Sequence, residues 1–541
     1  MNIDPIQFEA RCVHLRDALR GIAPGRAVPE ALTSAVMEFG RDARKAARGD
    51  LAVPILEMLV TLSPREARAW QLLGFTYGEE QCMPEAVRAF SQAAALDPDD
   101  PLTAFGHAQA SLDAGFAAAG LFEHALALAP GDLAAVNGWA SALAAQGEPA
   151  AAEALLEETL RRHPDWLLGH KHLSALRWIS GDSQDFAQSY AAACEVQPRN
   201  LPLRLAWFSV LAQARDWEAA RQIIEDGEKL IGDCPAFAVS RAFLAGESGD
   251  VERAEEWFAR TAAIRDDVLG ITHLRHCLRT GQLRRAESLA LDLLRGRSAP
   301  MIWPYLSLIW RLQDDARAQW LDGAPPYIRA FDLRYSPREL EELAEVLRRL
   351  HTSRAPHLEQ SVRGGTQTDT DRQLFFRAEP EIQTLRARVC AALREYVAGM
   401  PTPTPTPTPT PATAPLPGHP LFAAGRGRIL FSGSWSVRLN SQGHHVSHTH
   451  PRGWISSALY VSVPSSAELG AAPAGWLRFG VPPTDLGLNL PGLGQFQPKP
   501  GQLVLFPSTM WHETLPFDDG ERLVVAFDVM RPRNSSPGGW R

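Results

Sequence analysis

The segment HHVSHTHPRGWISSALYV, residues 444–461, carries four histidines within seven positions and runs straight into a β-branched and aromatic stretch. An imidazole buried without a partner costs free energy, so this density calls for a ligand. In an extended chain, side chains two apart share a face. His448 and His450 can therefore point into one cavity while His445 and Thr449 point elsewhere. Two neutral imidazoles on one face make a chelate, and FPSTMWHETLPF supplies a third ligand in His512. Arg522 stands ten residues further on, at the head of the apolar run LVVAFDV. A guanidinium there would be an isolated buried charge unless an anion sat opposite it. Asp528, in phase with Arg522, is a candidate partner for it, and His444 and His445 read as loop residues.

These residues need a β scaffold. From residue 428 onward the chain reads RILFSGSWSVRLN, WISSALYVSVP, GWLRFGVP, GQLVLFPS and RLVVAFDVM, short runs divided by Gly, Pro, Asn and Asp clusters. That pattern predicts antiparallel strands in a sandwich or jelly roll. Trp435, Trp454, Trp476 and Trp511 read as packing residues. Ahead of the strands, SPRELEELAEVLRRLH (336–351) and the stretch that Pro380 opens, EIQTLRARVCAALREYV, predict two helices. Between them QSVRGGTQTDTD (360–371) reads as a polar loop, either a plain connection or one facing substrate. PTPTPTPTPTP (401–411) favours polyproline II and spans about 30 Å. It reads as an exposed insertion within the C-terminal domain.

The first half repeats. Prolines fall at Pro64, Pro98, Pro130, Pro164 and Pro198, at intervals of 34, 32, 34 and 34 residues, with turn glycines at Gly115, Gly147, Gly181, Gly249 and Gly281. This is the period of a two-helix repeat. One unit resembles the tetratricopeptide repeat closely: Trp70, Leu73, Gly74 and Tyr77 on its first helix, Ala86, Phe90 and Ala93 on its second, Pro98 after it. Later units, as at Val136, Trp139, Ala140, Leu143, Ala152 and Pro164, keep the phase. About six or seven units between roughly residues 34 and 300 predict a right-handed solenoid, whose concave face suits a peptide or protein partner.

At 541 residues, 45% apolar and 21% charged, the chain is globular and too long for one core. A net charge of −8 gives no support to a nucleic-acid partner or an anionic membrane surface. The six cysteines are scattered without a C-x-x-C pair, which suits free thiols in a reducing compartment. No apolar run reaches 18 residues and the amphipathic N-terminus lacks a signal-peptide core, so a soluble cytoplasmic protein is expected.

GSWSVRL, HTHPRGWISSALYVSVP and PGQLVLFPSTMWHETLPF…GERLVVAFDV, with RGGTQT upstream, resemble the iron(II)- and 2-oxoglutarate-dependent oxygenases, specifically the oxygenase domain fused to tetratricopeptide arrays in bacteria. The resemblance covers about residues 330–535. It implies a double-stranded β-helix in which His448, His450 and His512 hold Fe(II), Arg522 binds the far carboxylate of 2-oxoglutarate, and Tyr460 supports that carboxylate. It further implies a dioxygenase that hydroxylates a C–H bond while 2-oxoglutarate goes to succinate, with a peptide or protein side chain as the first choice of substrate. Two positions depart from the family pattern: His450 stands where most members place a carboxylate, and Val524 where many place a hydroxyl residue. These departures leave two alternatives, a catalytically inactive fold serving as an interaction scaffold and a three-His dioxygenase that needs no cosubstrate. The expected architecture is an all-α tetratricopeptide-type solenoid over residues 1–330, followed by a double-stranded β-helix (jelly roll) domain with flanking helices over residues 331–541.

Overall fold

The structure, a computed structural model, describes residues 5–23, 25–182, 184–323, 327–358, 360–369, 372–400, 416, 418–422 and 428–532. The Pro-Thr run at 401–411 lies outside the described residues. Two compact units form: Met1–Thr159 with Arg372–Gln383, and Leu160–Asp371 with Thr384–Arg541.

The first unit is built of antiparallel helix pairs. In the pair Ala67–Glu79 and Met83–Leu96, Phe90 is 3% exposed and fills the space that a side chain on Gly74 would need. A Cβ on Gly74 would lie 3.0 Å from the Phe90 ring, and one on Gly106, in the next pair, 2.6 Å from it. Phe122 occupies the same niche against Gly138, where an added Cβ would come within 2.2 Å. Close approach of helices thus depends on a small residue facing a large ring. Pro64, Pro98 and Pro130 each follow a helix end by two residues, at Leu62, Leu96 and Leu128, where no helical N–H is lost.

Helix pairs continue into the second unit, where Asn200, Asp216, Asp250 and Asp266 each cap a helix by accepting a backbone N–H. The glycines expected as turn formers, Gly115, Gly147, Gly181, Gly249 and Gly281, all have positive φ. Ala47, Gln81, Arg215 and Asp314 adopt the same left-handed conformation and complete a series with intervals of 32 to 34 residues. The repeats therefore run beyond the expected end near residue 300, to the helix Ala299–Leu312. Four of their turns use residues that carry no glycine signal.

The C-terminal part is an antiparallel β domain. Its strands are β1 (Arg329–Asp332), β2 (Val362–Gln367), β3 (Phe431–His445), β4 (Gly453–Ser462), β5 (Leu477–Phe479), β6 (Gly494–Phe496), β7 (Gln502–Pro507), β8 (His512–Thr514) and β9 (Arg522–Met530). A six-stranded sheet has the order β1-β7-β4-β9-β3-β2, and a three-stranded sheet the order β6-β5-β8. The two expected helices form as Pro337–Leu350, with a Ser336/Glu339 capping box, and Pro380–Ala398. The described part of 360–371 is a strand at its centre, not a loop: β2 pairs with β3 through a bulge between Arg363 and Gly365. The glycines that gave the loop appearance make this pairing possible, because Gly364 has φ +68° and a Cβ on Gly365 would fall 2.3 Å from the Arg438 carbonyl. His444 and His445 are likewise the last residues of β3, opposite Arg363 and Val362. On β9, Leu523, Val525, Phe527 and Val529 are almost fully buried on one face. Arg522, Val524, Ala526 and Asp528 alternate onto the other face.

The recurrent left-handed turn can be tested by two exchanges of opposite sign. Ala47 is exposed at φ +54°, and an added Cβ on Gly249 would meet nothing within 4 Å, so only the backbone term changes at either place. Ala47→Gly should raise and Gly249→Ala should lower the thermal midpoint, each by the equivalent of about 1 kcal/mol, followed by circular dichroism. Shifts of equal sign would contradict the shared turn.

Candidate metal centre

The centre forms where the connection after β3 meets β8. His448 N donates to His512 O at 3.0 Å, and His512 N returns a bond to His448 O at 3.1 Å, an isolated antiparallel bridge. His450 N donates to Ser508 O at 3.0 Å. These main-chain bonds bring one candidate ligand atom each of His448, His450 and His512 within 4.8 Å of one another. The ring centroids lie 4.2 Å (448–512), 5.0 Å (448–450) and 5.1 Å (450–512) apart.

Each ring is also turned by its second nitrogen. Nδ1 of His448 is 2.8 Å from Val446 O, and Nδ1 of His512 is 3.0 Å from Met510 O. A carbonyl only accepts, so both Nδ1 atoms carry the proton and both Nε2 atoms present a lone pair. His450 makes the corresponding bond from Nδ1 to Asp528 Oδ2 at 2.8 Å. A donor bond from the non-ligating nitrogen to a carbonyl or carboxylate is the arrangement metal-binding histidines use. Burial, then the neighbouring His450, pushes His448 down to about 3, and burial with His448 and His450 holds His512 well below the usual histidine range. Both rings are neutral near pH 7, the state that can ligate.

Further groups close the pocket. Trp435, expected as packing, stacks on His450 at 5.5 Å and 15°. His445 stacks on His448 at 5.6 Å, and Ser361 Oγ lies 2.8 Å from His445 Nδ1 and 3.3 Å from His448 Nε2. His445 thus lines the cluster rather than lying clear of it.

Arg522 is 1% exposed and lies on the sheet face that also carries Asp528. Its Nη1 donates to Gly475 O at 2.7 Å and its Nη2 to Thr514 Oγ1 at 2.7 Å, while Nε has no partner. Asp528 does not pair with Arg522: it bonds His450, and its Oδ1 accepts from Ser456 Oγ at 2.5 Å. No carboxylate among the described residues pairs with Arg522. Tyr460, also 1% exposed, has an unpartnered hydroxyl, and burial pushes its pKa up to about 12, so it remains a donor. Burial lowers the Arg522 pKa, and the two side chains influence one another electrostatically.

The repeat helix Ala299–Leu312 reaches the centre through the residue before His512. Trp511 Nε1 donates to Pro304 O at 2.9 Å, and its ring meets Tyr305 edge-on at 5.6 Å. Arg311 Nη1 donates at 2.6 Å to the carbonyl of Gly480, whose own N–H donates to Trp511 O at 2.7 Å. Sequence reasoning missed Asp528 as a partner of His450, and Ser361 and Thr514 altogether. For Asp528 the strand period gave the face but not the neighbour.

Residues 433–528 match the family model described as "Putative 2OG-Fe(II) oxygenase". No curated protein matches the chain. Among solved structures the chain is similar to a MamA protein, with 18% identity over 31% of this chain and 92% of that one and a TM-score of 0.28. It is similar to a tetratricopeptide repeat protein from Parabacteroides merdae, with 15% identity over 44% and 96% and a TM-score of 0.28. A prolyl-4-hydroxylase from Pseudomonas putida aligns at 18% identity over 38% and 94%, with a TM-score of 0.26. The matched span contains all three histidines, Tyr460 and Arg522, and the chain thus carries a domain of the 2OG-Fe(II) oxygenase family behind an N-terminal array of helical repeats.

Proposed function

We propose that residues 331–541 act as an iron(II)- and 2-oxoglutarate-dependent dioxygenase of double-stranded β-helix type, a hydroxylase, and that the repeats over residues 1–330 bring it a peptide or protein. The observation that carries this reading is a pair of buried donors without partners, Arg522 Nε and Tyr460 Oη, in the domain that holds three convergent imidazoles. A buried guanidinium that lacks a counter-charge is costly. A carboxylate that accepts from both side chains removes that cost.

The donor set fits both groups. His448, His450 and His512 offer three neutral nitrogens, which suit a borderline divalent metal such as Fe(II). Arg522 and Tyr460 offer N–H and O–H donors to the far carboxylate of 2-oxoglutarate. When bound, iron(II) and 2-oxoglutarate supply oxidative chemistry: dioxygen is consumed, 2-oxoglutarate loses carbon dioxide to become succinate, and one oxygen atom passes to a substrate C–H. The chain's share is positional. Its imidazoles are turned by Val446, Asp528 and Met510, Thr514 and Gly475 fix the guanidinium plane, and Trp435 and Phe506 wall the cluster with apolar rings. Three neutral ligands would also suit a dioxygenase without cosubstrate, but that reading leaves Arg522 and Tyr460 unused. The six scattered cysteines, with no C-x-x-C pair, suit work in a reducing, cytoplasmic setting.

Anaerobic addition of iron(II) and then 2-oxoglutarate to the full chain should give a weak visible charge-transfer band that needs both additions, and His512→Ala should abolish it. A band from iron(II) alone, or none in the unsubstituted chain, would refute the reading. Arg522→Met should weaken 2-oxoglutarate binding by about a hundredfold, the loss expected when one partner of a buried ion pair is removed. Its affinity for cobalt(II) in the absence of 2-oxoglutarate should stay within about threefold, because Arg522 makes no bond to the three histidines. Equal loss of both affinities in a calorimetric titration would show that Arg522 supports the fold instead.

A further inference from the structure

Asp528 is a buried carboxylate that pairs with no Lys or Arg among the described residues. It is 7% exposed, and among the described residues its side-chain oxygens meet His450 Nδ1 at 2.8 Å and the Ser456 hydroxyl at 2.5 Å. The site around it is built. Ser456 Oγ lies 2.8 Å from Ser508 Oγ, and the Ser508 carbonyl accepts from His450 N at 3.0 Å, so carboxylate, hydroxyls and ring form a closed circuit. Gly453 makes room for that circuit: an added Cβ would stand 2.5 Å from Ser508 Oγ and 3.1 Å from Asp528 Cβ. The cross-strand register Ser456 opposite Asp528 fixes it between β4 and β9. A buried carboxylate whose contact with the centre runs through the His450 ring invites a cation on the far side of that ring.

We infer that Asp528 is the positioning residue of the metal centre, supplying through the His450 ring the negative charge that the three-imidazole ligand set lacks. This inference rests on the metal-centre reading given above. A divalent ion held by three neutral nitrogens keeps its full charge inside a low-dielectric pocket. A carboxylate one imidazole away lowers that cost, raises the basicity of His450 and locks its tautomer with Nε2 toward the ion. The role of the ligand carboxylate common in such sites is thus moved outward by one side chain, which predicts a coupling of definite sign. With His at position 450, Asp528 strengthens metal binding. With a carboxylate at 450, the two acids face each other across a hydrogen bond's length and Asp528 opposes it.

The test is a titration of the full chain with cobalt(II) alone, read by calorimetry and by the visible cobalt bands, for four proteins: unsubstituted, Asp528→Asn, His450→Asp, and the double variant. Asp528→Asn should weaken cobalt binding by about 10- to 100-fold when His450 is present. In the His450→Asp background the same exchange should tighten binding. Weakening of similar size in both backgrounds would reduce Asp528 to a structural residue, and a change under about twofold in both would overturn the inference. Ser456→Ala, which removes only the hydroxyl bonded to Asp528, should weaken binding by about threefold. It keeps the inference open to refutation if Asp528→Asn misfolds by circular dichroism, since no loss in Ser456→Ala would then count against it. Failure of the unsubstituted chain to bind cobalt(II) would refute the metal-centre reading itself, and this inference with it.

Discussion

Two main-chain hydrogen bonds between His448 and His512 carry the site, because they join the stretch after β3 to the first residue of β8 at the point where imidazoles must converge. The bridge is short, and its neighbours determine its register. His445 N donates to Thr514 Oγ1 on one side, and His450 N donates to Ser508 O on the other. A one-residue slip would turn every side chain to the opposite face, sending His448 away from His512. Thr514 also accepts from the Arg522 guanidinium. The segment that sets the histidine register thus also orients the buried cation.

Charge explains why the pocket needs guests. Three convergent imidazoles lie within one β domain with a guanidinium and a carboxylate that do not pair with each other, and the last two stand at opposite ends of one face of β9. Direct pairing of Arg522 with Asp528 would cancel both charges and leave an ordinary core. The strand separates them by more than their side chains can cover. Under the proposed function each pole is answered locally, Arg522 by an anion and Asp528 by a cation behind His450, and ligands of those signs would compensate the charges that folding has buried.

Much of this could be read from residue order where a periodicity reports it. The apolar runs of β4, β7 and β9 announce strands, and the i, i+2 spacing of His448 and His450 announces a shared face although both lie in the connection after β3. Strand β8 could not be read in this way, since three residues carry no period, so His512 could be named as a candidate ligand without its element. Tyr460 could be named as a candidate only through a family resemblance, because a tyrosine in an apolar strand reads equally well as core. The loop appearance of 360–371 came from Gly364 and Gly365, yet close backbone approach in a bulge calls for the same residue type. Ala47, Gln81, Arg215 and Asp314 show the converse: a left-handed turn set by the packing of its two helices tolerates a residue that by itself would not announce it.

The texture of the sequence changes near residue 330, but packing does not stop there. Ile302, Trp303, Leu306 and Trp310 of the repeat helix Ala299–Leu312 share one buried cluster with Leu486 and Trp511 of the β domain. Arg275 and Arg279, two helices earlier, form ion pairs with Glu247 and reach Asp485 at 2.5 and 3.6 Å, while Arg311 holds the carbonyls of Gly480 and Pro491. Trp511 is then clamped by Pro304 on one side and Gly480 on the other, and His512 is its chain neighbour. The orientation of a ligand ring is set by backbone torsions one residue away, so the rigidity His512 needs comes partly from helices that belong, by periodicity, to the repeats. A β domain cut free of those helices would expose the Trp511 ring and the apolar cluster around it. The last repeats are therefore part of the scaffold that holds the site as well as a continuation of the array.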